Sequence, residues 1–253
     1  MALQKWMLDI LACPRCLGDL VITSRFKEKA ILSRLMCKSC KTTFNVKNDI
    51  PDMRIKECLK TTNKIQRLFY NLYAPFYDKW EARLAKLYGF TEKTLREELV
   101  RSIEIESDDK ILEICIGTGG NVPYFREYTS NIIIGVDISE RMLEVCRRKV
   151  KDNYIGLILG CAEYLPLKTE VFNKVLIGGA LSYMSDPMRA LREALRVVCR
   201  NGIVVVYDQI TVFDKLLGKD RLPLKRIDTN VKLIEHKYLF NKHFYIAKYI
   251  KQS

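Results

Sequence analysis

The sequence predicts an α/β protein. We expect a mostly parallel sheet with helices on both faces, an antiparallel hairpin at its end and a small cysteine-rich module before it. Three observations predict this fold. Apolar strand-like segments alternate with helical ones across residues 109–207. Residues 232–237 and 244–248 have strand character on either side of Asn241-Lys242. Two C-x-x-C pairs lie within the first 40 residues.

The charge of the chain is strongly positive. Its 253 residues include 43 Lys and Arg against 30 Asp and Glu, a formal net charge of +13. Residues 215–253 hold ten basic and three acidic residues, and 10 − 3 = +7. Such an excess favours polyanionic partners, namely nucleic acid, an anionic membrane face or an acidic protein, although solubility alone would also account for it.

Neither a signal-peptide pattern nor an apolar run long enough to cross a bilayer is present in the sequence. We therefore expect a soluble, cytoplasmic protein.

Four of the nine cysteines form the pairs Cys13-x-x-Cys16 and Cys37-x-x-Cys40, with 20 residues between the pairs. Two such pairs at this separation suit one tetrahedral, structural zinc ion. A redox dithiol and inert buried thiols are the alternatives.

We divide the chain into a zinc-binding module (1–56), a linker (57–64) and a large domain (65–253). After the linker, Ile65, Leu68, Phe69 and Leu72 keep helical spacing. Pro75 should break that helix. A second helix is expected at about 91–103, with Thr94 and Glu97 in a capping-box arrangement.

The large domain begins its repeating pattern with a glycine-rich turn between two strands. The first strand, 110–114, leads into Gly117-Thr118-Gly119-Gly120, and the second ends at Asp137. A carboxylate at that strand end can accept hydrogen bonds from both hydroxyls of a ribose. The turn lacks the G-x-G-x-x-G register of dinucleotide sites. Glu113, just before the turn, suits an amine better than a pyrophosphate.

These residues carry a family resemblance. Ile111-Leu112-Glu113-Ile114-x-x-Gly117-Thr118-Gly119 resembles the first motif of class I S-adenosylmethionine-dependent methyltransferases, and Gly135-Val136-Asp137-Ile138-Ser139 resembles the second. Cys161-Ala162-Glu163-x-Leu165-Pro166 resembles the third, which cradles adenine. The resemblance is nearest to the lipid, quinone and thiol branch. It implies a Rossmann-like methyltransferase sheet and S-adenosyl-L-methionine as cofactor.

The resemblance also implies a set of cofactor contacts. Tyr77, in a Tyr-Asp element like the lid of small-molecule methyltransferases, should cover the cofactor, and Tyr73 is a weaker candidate. The full set implied is Tyr77, Glu113, Gly117, Thr118, Gly119, Asp137, Ile138, Met142, Ala162, Glu163 and Gly178. Two departures from the family stand out. Cys115 replaces the first glycine and can crowd the methionine part of the ligand, and Cys161 replaces the acid that contacts the adenine amine.

The cysteine-rich module has a resemblance of its own. Met7-Leu8-Asp9-Ile10-Leu11-Ala12-Cys13-Pro14-x-Cys16 and Phe44-Asn45-Val46-x-x-x-Asp49-Ile50-Pro51 are similar to the zinc ribbons of small activators that partner tRNA, rRNA and release-factor methyltransferases. This implies a zinc ribbon that does not catalyse and that docks on its own methyltransferase core.

Three hypotheses for the function follow. The first is a methyltransferase acting on RNA or another translation-linked substrate, with RNA bound at a basic face. The second is a small-molecule or lipid methyltransferase, and the third is a non-enzymatic zinc-containing scaffold. A protein partner fits any of them. No catalytic residue is assigned, but Tyr183, Tyr207 and Asp208 are candidate bases. The Asn-Pro-Pro-Tyr signature of adenine and glutamine methylases is missing.

Overall fold

The computed structural model describes residues 3–27, 30–59, 61–210 and 230–252. Its strands form two sheets, one of seven strands in the order β10-β11-β9-β8-β5-β6-β7 and one of four in the order β1-β2-β3-β4. Strands β5 to β9 are mutually parallel, and helices cover the sheet as the alternating pattern predicts. The expected α/β fold is confirmed.

The large sheet follows from its sequence. Its central strands are almost fully buried and rich in Ile, Val and Leu, because helices exclude water from both faces. The strands of this sheet are β5 (Ile111–Ile114), β6 (Ile133–Asp137), β7 (Ile155–Leu159), β8 (Phe172–Gly178), β9 (Val198–Gln209), β10 (Val231–Leu239) and β11 (Phe244–Lys251).

The helices and the strands of the N-terminal module complete the described elements. The module holds α1 (Lys5–Ile10), β1 (Leu20–Lys27), β2 (Ala30–Cys37), β3 (Thr43–Lys47) and β4 (Ile50–Pro51). The remaining helices are α2 (Thr61–Tyr73), α3 (Tyr77–Leu87), α4 (Glu92–Ile103), α5 (Val122–Arg126), α6 (Glu140–Lys149) and α7 (Pro187–Val197).

The predicted terminal hairpin is present. Strand β11 lies between β9 and β10 and is antiparallel to both, with Tyr245 opposite Asp208 and His236 opposite Ala247. Residues 211–229, which carry five of the ten basic residues counted between 215 and 253, lie outside the described residues.

The N-terminal module contacts the edge of the large sheet. Just after β4, the Met53 amide donates to the Leu159 carbonyl at 2.8 Å, and Asp52 forms a parallel bridge with Leu159 at the end of β7. Met53 is fully buried there. The module therefore continues the backbone hydrogen bonding of β7, which would otherwise be an edge strand.

A second strip of backbone contact follows α1. The Ala12 amide donates to the Pro166 carbonyl at 3.0 Å, and the Lys168 amide donates to the Ile10 carbonyl at 2.8 Å. Buried apolar side chains of the module and of the large sheet form one cluster, which includes Leu35, Phe44, Met53, Ile134 and Ile158. Ion pairs Lys47–Glu140 and Asp49–Arg147 join the module to α6.

The connecting segment contains ordered structure. Lys56–Cys58 is a 3-10 turn with a buried Cys58, and residues 61–64 of the predicted linker are the first turn of α2. The predicted break at Pro75 is confirmed, because α2 ends at Tyr73, a 3-10 turn spans Ala74–Phe76 and α3 begins at Tyr77. The cap predicted for α4 was wrong in detail: the N-cap is Thr91, whose hydroxyl accepts from the Thr94 amide.

Helix α2 places its apolar stripe toward solvent. Ile65, Leu68, Phe69 and Leu72 are 56–81% exposed, whereas Asn63 on the same helix is buried. Polar side chains thus make the contacts of α2 with the large domain, and Asn71 accepts from the Ser139 hydroxyl at the start of α6. None of the helices described is long and apolar enough to cross a membrane.

Candidate cofactor and acceptor site

Two adjoining cavities lie at the carboxyl ends of β5, β6 and β8. We call the first the cofactor cleft. It is lined by Asn63, Gln66, Tyr70, Tyr77, Ile114, Cys115, Gly117, Val136, Asp137, Ile138, Met142, Gly160, Cys161, Ala162, Glu163, Gly178, Gly179, Ala180, Tyr183 and Met184. Ligands of open α/β sheets bind at this edge, where the turns after neighbouring strands diverge.

The turn after β5 shapes the floor of the cleft. Gly117 has φ +56°, and its amide donates to Asp137 Oδ2 at 2.9 Å. Gly119 has φ +79°, and a side chain at this position would meet the Cys146 sulfur on α6 at 2.6 Å. Gly119 therefore serves the packing of the turn on α6, whereas Gly117 lines the cleft.

Cys115 adopts the backbone conformation of a glycine. Its φ is +63°, in the left-handed region that costs a residue with a Cβ roughly 1–2 kcal/mol. The side chain lines both cavities. The backbone at this position thus has a conformation that favours glycine, and the cysteine adds a thiol to the cleft wall.

Asp137 is buried at the end of β6. Its Oδ1 accepts from the Ser139 amide at 2.8 Å while Oδ2 accepts from Gly117. Burial raises the pKa of Asp137 to about 6, although these backbone hydrogen bonds act to lower it. Each carboxylate oxygen keeps a further lone pair, so the group can also accept from ligand hydroxyls.

Glu113 is buried below the turn, in the wall of the second cavity. Its Oε1 accepts from Asn121 Nδ2 at 2.5 Å, and its Oε2 is buried and has no hydrogen-bond partner among the described residues. Burial raises the pKa of Glu113 to about 7, and the nearby Arg96 guanidinium opposes that rise. A buried acceptor without a partner is costly, and a ligand amine would satisfy it.

The third motif lies along the opposite side of the cleft. Cys161, Ala162 and Glu163 all line it. Glu163 Oε1 already accepts from Asn63 Nδ2 at 2.9 Å and from the Ser185 amide at 3.1 Å. That oxygen therefore fixes α2 and the segment after β8. Hydrogen bonding with Cys58, together with burial, holds the pKa of Cys161 well above its usual range, so Cys161 stays a thiol.

Aromatic side chains from α2 and α3 cover the cleft. Tyr70 and Tyr77 line it, and burial raises the pKa of both phenols. Tyr73 lines only the second cavity. Asp78 accepts from the Thr118 hydroxyl at 2.6 Å, which connects this cover to the glycine-rich turn.

The second cavity, which we call the aromatic cavity, has a volume of about 620 Å³. The two spaces meet, because the aromatic cavity shares with the cofactor cleft Tyr70, Tyr77, Cys115, Gly117, Gly178, Gly179 and Tyr183. Its other lining residues are Phe69, Tyr73, Trp80, Glu81, Arg96, Glu113, Ile116, Thr118, Gly120, Asn121, Tyr207, Gln209 and Phe244. Apolar rings dominate, with a few polar groups at defined places, which is typical of small-molecule sites.

The structure places the candidate bases at different sites. Tyr183 and Tyr207 line the aromatic cavity, whereas Asp208 is not among its lining residues and accepts from the Ser182 amide at 2.7 Å. Burial raises the pKa of Tyr207, so its phenol keeps its proton. The two histidines lie on the terminal hairpin, and neither lines either cavity.

The structure brings most of the predicted cofactor residues together. Those in the cleft are Tyr77, Gly117, Asp137, Ile138, Met142, Ala162, Glu163 and Gly178. Glu113 and Thr118 line the aromatic cavity, and Gly119 lines neither cavity. Contact with a cofactor stays a prediction for all of them. Sequence reasoning missed Asn63, Gln66 and Tyr70, whose polar or aromatic side chains lie beside the apolar stripe that dominates α2.

The four paired cysteines form a cluster in the N-terminal module. Their sulfur atoms all lie within 4.8 Å of one another. The Cys13–Cys40 and Cys16–Cys37 sulfur distances are 3.6 and 3.5 Å. Four thiolates about 2.3 Å from a tetrahedral zinc ion would lie at similar separations, so the donor set fits that metal.

The core of the chain is similar to known methyltransferase sequences. Residues 112–206 match a family model described as a methyltransferase domain. A demethylmenaquinone methyltransferase of Staphylococcus saprophyticus is 35% identical over 127 residues, which are 49% of this chain and 54% of the relative. One from Shouchella clausii is 29% identical and covers 61% of this chain and 69% of that protein. The chain therefore spans little more than half the length of the first of these relatives.

Solved structures share the fold at low identity. A chain from the complex between the Haloferax volcanii Trm112 methyltransferase activator and the putative methyltransferase has a TM-score of 0.60 at 12% identity, covering 73% of this chain and 98% of that one. The N-methyltransferase NodS from Bradyrhizobium japonicum, in complex with S-adenosyl-L-homocysteine, has a TM-score of 0.54 at 13% identity, covering 64% and 88%. The [4+2]-cyclase SpnF scores 0.60 at 15% identity, covering 76% and 96%, so the fold alone does not define the reaction.

Proposed function

We propose that this chain, which contains a class I S-adenosylmethionine-dependent methyltransferase domain, transfers the cofactor's methyl group to a small, largely apolar acceptor with a planar ring. The aromatic cavity carries this proposal, because it opens directly onto the cofactor cleft and is walled by rings. The demethylmenaquinone methyltransferases among the relatives support an acceptor of this kind.

The residues of the two adjoining cavities have the chemistry that the cofactor needs. Asp137 would accept from the ribose hydroxyls, and the unpartnered Oε2 of Glu113 would accept from the amine. The cofactor supplies a methyl group on a positively charged sulfur. Tyr70 and Tyr77 would cover the reacting atoms and exclude water, and the cavity walls would align the acceptor with the methyl group.

Two observations favour a small acceptor over RNA. Among the residues that the structure describes, the aromatic cavity is lined mainly by rings and by a single basic side chain, Arg96. Of the five lysines in residues 230–252, three are paired with carboxylates: Lys237 with Glu98 and Glu235, Lys248 with Glu104, and Lys251 with Glu170. Paired lysines contribute less to an anion-binding face, so the described part of the C-terminal segment is less basic than its composition suggests.

Methylation of cell fractions tests the proposal. The full chain is incubated with cofactor carrying a labelled methyl group and with either the organic-soluble extract or the purified RNA of the same cells. We expect label in the organic-soluble fraction, and none when the chain carries Asp137→Ala. Label confined to RNA would support the RNA hypothesis instead, and label in neither fraction would contradict both.

The role of Asp137 gives a direct prediction for cofactor binding. Hydrogen bonds to a charged acceptor contribute about 1.5–3 kcal/mol, so Asp137→Ala should weaken binding of S-adenosylmethionine at least about tenfold. Calorimetry measures the affinity. The exposed Asp108→Ala is the matched control and should leave the affinity unchanged. Unchanged affinity in a folded Asp137→Ala variant would remove this residue from the site.

We also propose that Cys13, Cys16, Cys37 and Cys40 hold one structural zinc ion. The support is the compact four-sulfur cluster. With all four positions filled by protein ligands, such an ion would stabilise the fold and not take part in catalysis. Metal analysis of protein purified without chelators should give one zinc per chain. A metal-free protein that is as stable as the zinc-bound protein would contradict the proposal.

The zinc module and the large domain, we further propose, act as one unit in which the module supports the core. The backbone bonds of Met53 and Ala12 to the large domain and the shared apolar cluster support this proposal. So does the similarity in fold to a chain of the Haloferax volcanii complex, in which an activator and a methyltransferase are separate components. A module that only tethers the enzyme to a partner is the alternative, and the variants described in the Discussion distinguish the two.

A further inference from the structure

Helices α2 and α3, joined by the 3-10 turn Ala74–Phe76, expose large apolar side chains to solvent. Leu68 and Leu72 on α2 are 71% and 81% exposed, and Phe76, Trp80 and Leu87 are exposed on the turn and on α3. Exposed apolar residues are common singly, but a run of them on adjoining helices indicates an interaction surface. We call this surface the outer face.

The exposed charged side chains of α2 and α3 are all basic. Lys64, Lys79, Arg83 and Lys86 are exposed, and the Arg83 guanidinium lies 5.8 Å from the centre of the Trp80 ring. The acidic residues of this segment, Asp78 and Glu81, are only partly exposed, and Asp78 is paired with Lys149. Apolar side chains bordered by lysine and arginine are the composition of helices that lie on anionic bilayers.

The outer face is also continuous with the aromatic cavity. Phe69 and Trp80 line that cavity, yet they are 56% and 48% exposed at the surface. A molecule dissolved in the apolar layer beneath the outer face would therefore reach the cavity without crossing bulk water.

We infer that the outer face binds the surface of an anionic phospholipid bilayer. The leucine, phenylalanine and tryptophan side chains enter the interfacial layer, while the flanking basic side chains contact anionic headgroups. Binding of this kind is peripheral. It does not depend on the proposed methyl transfer and can be tested without turnover.

Vesicle co-sedimentation of the full chain tests the inference. The vesicles are phosphatidylcholine alone or phosphatidylcholine with phosphatidylglycerol. We expect binding to the mixed vesicles that weakens with salt, and at least tenfold less binding to phosphatidylcholine alone. The double variant Leu68→Gln, Leu72→Gln should lose at least about tenfold in affinity for the mixed vesicles.

Matched controls separate binding by the outer face from nonspecific hydrophobic binding and from the effect of net charge alone. Ile22→Thr with Ile234→Thr removes two exposed apolar side chains from strands elsewhere and should leave binding unchanged. Lys79→Gln, Arg83→Gln and Lys86→Gln lower the net charge to 13 − 3 = +10 and should weaken binding about tenfold or more. A control variant with the same net charge carries Lys5→Gln, Lys151→Gln and Arg200→Gln and should not weaken binding.

Three results would overturn the inference. The first is no binding of the full chain to either vesicle. The second is an equal loss of binding in the test and control variants. The third is a dimer in sedimentation velocity that Leu68→Gln, Leu72→Gln dissociates, combined with no vesicle binding, because a second copy would then cover the outer face.

Discussion

At the scale of single residues, Cys115 shows what a motif can and cannot predict. The sequence indicates that a cysteine stands where the family has glycine, and hence that the cleft wall gains a side chain. The backbone angle explains the cost: φ is +63°, which suits glycine. The motif alone does not predict whether the backbone of the turn changes to accommodate the side chain or keeps the conformation that suits glycine.

Replacing this cysteine gives a prediction. Cys115→Gly should bind S-adenosylmethionine several-fold more tightly, because the cleft loses a side chain that adjoins the cofactor space. Its unfolding free energy should stay the same or rise by about 1 kcal/mol, since relief of strain exceeds or offsets the greater entropy of unfolded glycine. Calorimetry and thermal unfolding measure both quantities.

The control for this change is Cys115→Ala. It removes the sulfur but keeps a Cβ at positive φ, so it should not gain the stability that glycine gains. A Cys115→Gly variant less stable than Cys115→Ala would show that the backbone conformation carries little strain, and weaker cofactor binding by Cys115→Gly would show that the thiol assists the ligand.

The buried Glu113 should make the free energy of unfolding depend on pH. Burial raises its pKa from 4.5 to about 7, so between these values the folded chain keeps a proton that the unfolded chain has lost. The free energy of unfolding should therefore fall as pH rises through this window. Glu113→Gln should be more stable than the parent at pH 8, by on the order of 1–3 kcal/mol.

The same variant should bind S-adenosylmethionine about tenfold more weakly at pH 8, because the charged acceptor is gone. Chemical denaturation at several pH values and calorimetry supply the two readouts. Glu127→Gln, a change at an exposed site, should alter neither. A less stable Glu113→Gln variant at pH 8 would mean that the ionised carboxylate has a partner in the folded chain.

At the scale of elements, periodicity predicts the helices but not which side of each helix faces inward. The spacing of Ile65, Leu68 and Leu72 indicates an amphipathic helix, and Pro75 marks its end. Which side faces inward depends on partners distant in the chain, here Glu163 for Asn63 and Ser139 for Asn71. Pairings of this range leave no local signal, so the exposure of the apolar stripe could not be predicted.

A substitution in the segment after β4 tests how the N-terminal module is coupled to the large sheet. Met53 is fully buried and its amide bonds to Leu159, so Met53→Ala should reduce the unfolding free energy by about 2–5 kcal/mol. If the two domains form one unit, the loss appears in a single unfolding transition of the full chain. Ile22→Ala, at a half-exposed site of the same module, should cost less than about 1 kcal/mol. A separate early transition that leaves the main one unmoved would indicate independent domains.

At the scale of the whole molecule, the fold was predictable because its motifs are contiguous. The strand, glycine turn and acidic strand end lie within about 30 residues, and each predicts its neighbour. The contact surface between the two domains was not predictable. It joins Ala12 to Pro166 and Met53 to Leu159, residues more than 100 positions apart that belong to no shared motif.

The zinc proposal and the single-unit proposal meet in one last prediction. Under the zinc proposal, the metal would supply much of the folding free energy of the small N-terminal module, so its removal should disorder that module. Because Leu35 and Phe44 of the module share one apolar cluster with Ile134 and Ile158, that loss should reach the large domain. Cys37→Ser should therefore lose the zinc, lower the melting temperature of the full chain and weaken binding of S-adenosylmethionine. Cys199→Ser, whose half-buried sulfur hydrogen-bonds to the Glu170 carbonyl outside the cluster, should change none of these. A Cys37→Ser chain without zinc that keeps the parent's melting temperature and cofactor affinity would show that the N-terminal module does not support the large domain, which then folds and binds the cofactor without it.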